Sequence, residues 1–302
     1  MGNLIMVATS APILGNYRLE YVCDGRHYHK RSFKDLKEYY DFVESTPEGF
    51  TPKDSRKSNR NNWYGTPTFE KAMEYARGGW KKGLQEMEYY ENISDMEYGN
   101  KQQKNIWDVE NDVTGDFVDI ESYIQGVPEC MARFTEKREK KFADIFVKVD
   151  YNWMVREDQI RKRGVEILKM IDALEKNNIK TRVTGYVLAS GYDGSHYITT
   201  VVFKDYHQPL ELDYLVFPLS SVSFLRRLWF SQIEHEDMAF REGFQGRRLN
   251  HYGGCENLNN YPEELWKNEF DSTRLFVIDD PASSVYDANA IKEKVKEILK
   301  AS

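Results

Sequence analysis

The chain is poor in cysteine. Three residues (Cys23, Cys130 and Cys255) are scattered over 302 positions, an odd number that excludes a disulfide-stapled secreted scaffold. Long apolar runs are also missing. The segment Leu4-Ile5-Met6-Val7-Ala8 is too short for the core of a secretion signal and lacks a basic flank. Nothing approaches the roughly 20 apolar residues that span a bilayer. These absences lead to the expectation of a cytoplasmic protein without a membrane partner. Positive charge is in deficit, 42 Lys and Arg against 49 Asp and Glu for a net −7. That balance disfavours bulk nucleic-acid binding, which runs on phosphate neutralisation. Several catalytic signatures are absent too: no Gly-x₄-Gly-Lys-Ser/Thr phosphate loop, no Gly-x-Ser-x-Gly elbow, and no second histidine after His235-Glu236 to make a zincin helix.

What the chain does have is aromatic mass. Its 20 Tyr, 16 Phe and 6 Trp argue for a packed core rather than disorder. Tyr17–Cys23 alternates, Asp24-Gly25 follows, and Arg26–Lys30 continues, the pattern of a β-hairpin. Ser32-Phe33-Lys34-Asp35 has capping-box form ahead of a helix with Phe33, Leu36, Tyr40 and Val43 on its apolar face. Residues 45–64 are polar and broken, a loop. Thr66-Pro67 then reads as the cap and first position of a helix carrying Phe69, Ala72, Met73 and Ala76. Residues 91–117 are again loose, and the expected division is an aromatic-rich α+β region over 1–132 followed by an α/β domain over 133–302.

The second region alternates its patterns. Phe142–Val149 is a strand candidate, 157–176 a helix with Ile160, Ile167, Leu168, Ile171 and Leu174 at helical spacing, and Asn177-Asn178 its stop. Strands follow at 180–189 and 197–203, close enough for an antiparallel pair. A helix is expected through Phe224, Leu225, Leu228 and Trp229, a strand at Arg274–Ile278, and a last helix placing Ile291, Val295, Ile298 and Leu299 on one stripe. This order predicts a mixed, mostly parallel α/β sheet with helices on both faces, of von Willebrand A-like or Rossmann-like type. In such sheets functional groups collect beyond the carboxyl ends of the strands. Asp150 and Asp279 (or Asp280) hold that position on two strands.

Residues 142–280 resemble a von Willebrand factor A-like domain, of a kind found in tailed-phage proteins. The resemblance rests on ADIFVKVD (143–150), RGVEILKMIDALEKNNIK (163–180), RVTGYVLA (182–189), YITTVVFKD (197–205) and RLFVIDD (274–280). In that family a metal site, usually Mg²⁺, opens with Asp-x-Ser-x-Ser after the first strand. Here the matching residues are Asp150, Asn152 and Met154. The resemblance thus implies a Mg²⁺ site formed by Asp150, Asn152 and Asp279. Asn152 offers an amide oxygen, whereas the Met154 thioether is too soft for a hard cation. The degenerate motif implies a non-catalytic module that binds another protein or serves in assembly, with no cofactor required, in a host cytoplasm or a virion if phage-encoded.

Other side chains keep further readings open. Asp150 and Asp279 could hold Mg²⁺ for phosphoryl transfer or nuclease chemistry, given a further carboxylate such as Glu211 or Asp213. Arg226, Arg227, Arg247 and Arg248, interleaved with Trp229, Phe240 and Phe244, could contact single-stranded nucleic acid by charge and stacking. A helix with its aromatics in the core is the plainer account of the same residues. Cys23, His27 and His29 are zinc-type ligands in one hairpin with no fourth nearby, so an ordinary hairpin is expected. The pair His251 and Cys255 is weaker still. The dense aromatics Trp63, Tyr64, Phe69, Tyr75, Trp80, Tyr89 and Tyr90 fit a core, with any exposed subset available as interface anchors.

Overall fold

The computed structural model describes residues 5–8, 17–23, 25–45, 54–58, 61–85, 106–137, 141–151, 154–190, 194–235, 256–267, 270, 274–279, 293 and 296. The chain divides into two compact units, one formed by 1–97 with 142–302 and the other by 98–141. No helix among the described residues is long and apolar enough to cross a membrane.

The larger unit is built on a seven-stranded sheet. Its strands in chain order are β1 (Ile5–Ala8), β2 (Tyr17–Cys23) and β3 (Arg26–Phe33), then β7 (Lys141–Lys148), β8 (Ile179–Ser190), β9 (His196–Lys204) and β10 (Leu275–Ile278). In space they run β1-β2-β3-β9-β8-β7-β10. The pairs β1–β2, β2–β3 and β8–β9 are antiparallel, whereas β3–β9 and β7–β10 are parallel. The fold is therefore mixed α/β. The expected parallel neighbours at 143–149 and 274–278 are β7 and β10, in register from Leu275 opposite Asp144 to Ile278 opposite Val147.

One boundary differs from expectation. The region 1–132 does not stand apart from 133–302, because β3 pairs with β9 from Tyr28 opposite His196 to Phe33 opposite Val201. The N-terminal hairpin thereby extends the α/β sheet. Its edge is satisfied by backbone hydrogen bonds to a strand more than 160 residues away, a partner that alternation within the hairpin does not name. The insertion is the smaller unit, a three-stranded antiparallel sheet ordered β4-β6-β5, from β4 (Ile106–Asp112), β5 (Phe117–Val118) and β6 (Met131–Lys137). The helix Ile120–Ile124 lies between β5 and β6.

Side-chain alternation divides the main sheet into two faces. One face meets helices. Phe33 packs edge-on against Tyr39 of the Leu36–Glu44 helix, with ring centroids 5.2 Å apart, and Phe203 packs against Phe224 at 5.5 Å. The Glu157–Lys176 helix crosses Leu212–Ser220 at Gly164, where an added Cβ would lie 2.3 Å from Ser220 Cβ and 2.7 Å from Leu219 O. The opposite face carries Phe146, Tyr186, Leu188, Ile198 and Tyr28, buried under Leu258, Tyr261, Leu265 and Trp266. Phe146 stacks between Tyr186 (4.1 Å, 18°) and Trp266 (5.7 Å, 5°). The covering segment consists of two short 3₁₀ turns, Leu258–Asn260 and Glu263–Leu265. Of the last predicted helix only Glu293 and Lys296 are described; both are helical, with Lys296 Nζ donating to Glu293 Oε1 at 2.7 Å, while Ile291, Val295, Ile298 and Leu299 lie outside the described residues.

Local signals hold with small shifts. The expected hairpin forms, with Cys23 opposite Arg26 and Gly25 at φ +75°. The first helix cap is three residues later than read, and Glu38 reaches past it to the preceding residue. Asp35 accepts from Glu38 N at 2.7 Å, and Glu38 Oε2 accepts from Lys34 N at 2.8 Å. Ser32 and Phe33 remain in β3, because the β9 pairing extends the strand past the point where local sequence would end it. The next helix is capped by Thr68, not Thr66, through Lys71 N at 3.2 Å. Glu157–Lys176 is helical as expected and stops at Asn178, in left-handed backbone at φ 58°. The helix expected through Trp229 is in three parts, Leu212–Ser220 with Pro218 inside it, a π-helical turn over Phe224–Trp229 and the α-helix Phe230–His235 that continues it.

Candidate functional site

The strand ends that the sequence singled out do converge. Asp150 lies just beyond β7, and Asp279 follows Ile278, the last paired residue of the parallel neighbour β10. Between them stands a residue that the ligand motif does not include. Lys148, two positions before Asp150 and so on the same face of the strand, places Nζ 3.5 Å from Asp150 Oδ1 and 3.6 Å from Asp279 Oδ1. The side chains of Lys148 and Asp150 are 2% and 0% exposed, so both charges are fully desolvated.

The remaining valences of this trio are taken up by the backbone. Lys148 Nζ donates to Glu256 O at 2.5 Å. Asp150 Oδ2 accepts from Leu188 N of β8 at 2.7 Å, and Asp279 Oδ2 accepts from Leu258 N at 3.4 Å. The 256–258 stretch thus roofs the strand ends, meeting the ammonium with a carbonyl and a carboxylate with an N–H. Burial raises the Asp150 carboxyl to about 6, against the opposing pull of Lys148 and the Leu188 N–H. Tyr186 is buried beside the same charges. Desolvation first, then Asp279 and Asp150, push its phenol well above its ordinary value.

A second polar group adjoins the first along the same segment. Glu256 sits beside His196, at the start of β9, with Nδ1 3.7 Å from Oε2. That contact, reinforced by Ser190 and Asn260, holds the Glu256 carboxyl at about 2. The His196 ring stacks on Tyr28 (5.1 Å, 17°) and meets the edge of Tyr261 at 5.4 Å. Tyr261 donates its hydroxyl toward Ala189 O (3.0 Å) and Tyr197 O (3.2 Å), bridging β8 and β9. Tyr28 and Lys30 of β3 donate to Asn260 O at 3.4 Å and Leu265 O at 2.6 Å, so four strands, β3, β7, β8 and β9, are tied to one covering segment by polar contacts.

The other sequence candidates fall elsewhere. Arg226 and Arg227 were expected as nucleic-acid contacts and are instead buried, at 6% and 0% exposure. Arg227 donates to Ser55 O, Ser58 O, Thr66 O and Pro67 O at 2.8–3.0 Å and stacks over Tyr64 at 4.2 Å. Arg226 donates to Trp63 O at 2.6 Å and lies over the Trp63 ring. The π-helical turn directs both guanidiniums at backbone carbonyls between 55 and 67, where the short helices Asp54–Lys57 and Asn61–Tyr64 replace part of the loop expected over 45–64, so neither can reach a phosphate. Arg247 and Arg248 lie outside the described residues, as do Asn152, Asp280, His251 and Cys255. Met154 is exposed. Asp213 starts the Leu212–Ser220 helix, against Gly79, and takes no part in the Lys148 ion pairs. His27 is exposed and His29 stacks on Tyr197 at 4.6 Å. Among the described residues, no three His, Cys, Asp or Glu side chains gather as a metal-binding group.

Sequence reasoning passed over Lys148, although the signal was present. A lysine inside the apolar run ADIFVKVD, two residues from an aspartate, must either leave the strand or be paired on its face. The sequence profile of a family described as "Domain of unknown function (DUF7192)" matches residues 17–302. No curated protein and no solved structure matches the chain.

Proposed function

The chain belongs to the DUF7192 family, and from its strand-end geometry we propose that it is a non-catalytic protein-binding or assembly module. In this reading the metal position of a von Willebrand A-like sheet has been taken over by a lysine. One observation carries it: Lys148 Nζ stands 3.5 and 3.6 Å from the two carboxylates that a divalent cation would bridge. An ammonium supplies one positive charge in a fixed place, without open coordination positions. It can neutralise the carboxylates but cannot polarise a phosphoryl oxygen or activate water as a metal does. The strand order β9-β8-β7-β10, with the long helix joining β7 to β8, supports the von Willebrand A-like reading. The backbone roof at Glu256 and Leu258 favours a structural use of the charges over a catalytic one.

The test is titration calorimetry of the whole chain with Mg²⁺ and Mn²⁺, run beside a nuclease assay on single- and double-stranded substrates. The expected result is no saturable metal binding and no cleavage. Metal-dependent cleavage that disappears in Asp150→Asn would replace this reading with the Mg²⁺-dependent enzyme.

A further inference from the structure

We infer that the 98–141 unit presents a docking surface for a basic, apolar protein segment. It rests on the reading of the chain as a binding module, but not on the Lys148 site.

The helix Ile120–Ile124 buries none of its residues. Ile120, Tyr123 and Ile124, at spacings of three and four, share one face and are 69%, 67% and 77% exposed. Val118 of β5 and Val127, past the turn at Gly126, add 46% and 38% exposed apolar side chains at its two ends. Scattered exposed aliphatics are ordinary on a protein surface. A helix face made only of large apolar side chains, flanked by more of them, marks an interaction site.

The structure holds this face out rather than leaving it loose. Asp119 caps the helix, accepting from Glu121 N at 3.2 Å and Ser122 Oγ at 2.6 Å. Asp119 N donates to Cys130 O at 2.8 Å, and Val127 N to Ser122 O at 3.0 Å. Asn111 Nδ2 of β4 donates to Asp119 Oδ2 at 3.1 Å, tying the cap to the sheet. A short, pre-ordered helix costs less entropy on binding than a segment that must fold first.

Charge decides what fits the face. From Asp112 to Ala132, the stretch that carries the face, the chain has Asp112, Asp116, Asp119, Glu121 and Glu129 and no Lys, Arg or His, the next base being Arg133, which stands opposite Glu110 in the β4–β6 pairing. An apolar face inside a 21-residue stretch with five carboxylates and no base repels acidic partners and attracts basic ones. A second copy would bring the same carboxylates to the same face, so self-association is disfavoured. The occupant is accordingly a partner segment with apolar side chains on one side and Lys or Arg around them.

The test uses the full chain and a fluorescent synthetic 18-residue amphipathic helix of Leu and Lys, with its Leu and Glu counterpart as control. Anisotropy should show saturable binding of the Leu/Lys peptide only, weakening as salt rises. Ile120→Ser with Ile124→Ser should reduce affinity about tenfold or more. Asp116→Asn with Glu121→Gln should cut it severalfold and flatten the salt dependence. These side chains are exposed, so circular dichroism should be unchanged. Equal binding of the two peptides, or affinity indifferent to both variants, would overturn the inference. So would a dimer in sedimentation that Ile120→Ser with Ile124→Ser abolishes, which would make a second copy the occupant. Metal binding by the chain would sink the reading of Lys148 while leaving these outcomes untouched.

Discussion

Lys148 and Asp150 occupy the same face of one strand end and neutralise each other in full burial, Nζ to Oδ1 at 3.5 Å. The second carboxylate, Asp279, arrives from a strand that is parallel in space but more than 120 residues distant in sequence. A buried pair of this kind does not by itself stabilise a fold, since desolvation offsets the attraction. Its removal one partner at a time is costly, because the survivor is left as a lone buried charge. The trio ties the end of β7 to the end of β10.

Lys148→Met should therefore destabilise strongly, by about 3–5 kcal/mol, although Met nearly matches the lysine stem in volume. Two carboxylates then face each other without a cation. Mn²⁺ should raise the melting temperature of Lys148→Met and leave the parent protein unmoved. A thermal melt with and without the metal reads this directly. An equal shift in both proteins would mean that the carboxylates bind metal despite the lysine.

Asp150 gives the site a pH dependence. Its folded-state pKa is raised to about 6 from 3.8, with desolvation the largest cause. Between those values the folded chain binds a proton that the unfolded chain has released. The contribution of Asp150 to stability therefore falls as pH rises from about 4 to about 6 and is level above that. Asp150→Asn, which keeps an oxygen for the Leu188 N–H, should remove this contribution. Urea unfolding across pH 4–7 would show the difference between the two proteins as a slope confined to that window.

Much of this was legible before the structure. The apolar run ADIFVKVD and the segment RLFVI could only be buried strands. The helix between 157 and 176 announced a crossover, and Asp24-Gly25 announced a hairpin. What escaped was long-range. Nothing local in Arg26–Phe33 says that its free edge pairs with His196–Lys204, so the N-terminal region read as a separate body. The first helix start moved by three residues because tertiary pairing kept Ser32 and Phe33 in the strand. The arginines were misjudged for a related reason. Sequence shows the charge of Arg226 and Arg227 but not the backbone carbonyls between 55 and 67 that absorb it.

Arg227 makes that point testable. Its guanidinium serves four backbone carbonyls and stacks on Tyr64. Lysine keeps the charge but cannot reproduce a planar fork. Arg227→Lys should cost about 2 kcal/mol or more, the scale of buried acceptors left unmet. Affinity for single-stranded oligonucleotides should not change, because the side chain does not reach solvent. A variant of unaltered stability that lost oligonucleotide binding would restore the nucleic-acid reading of this region.

Glu256 should impose the opposite pH slope from Asp150. Its carboxyl is held at about 2, with His196 as the first cause and Ser190 and Asn260 behind it. A carboxylate whose folded pKa lies below its unfolded value of 4.5 contributes stability that is complete above about pH 4.5. That contribution drains away as pH falls toward 2, because there the unfolded chain takes up the proton first. Below pH 4.5 the parent protein should accordingly lose stability faster than Glu256→Gln. In Glu256→Gln the backbone carbonyl that receives Lys148 is unchanged, so the Asp150 slope between pH 4 and 6 should survive. In the double variant Asp150→Asn with Glu256→Gln, both contributions should be absent, leaving the acid slope that the depressed carboxyls of Asp41 and Glu175 supply. Urea midpoints for the four proteins, measured from pH 2.5 to 7, separate the two contributions. If Glu256→Gln also erased the slope above pH 4.5, the carboxylates would titrate as one coupled unit, and the backbone roof over Lys148 would not insulate them.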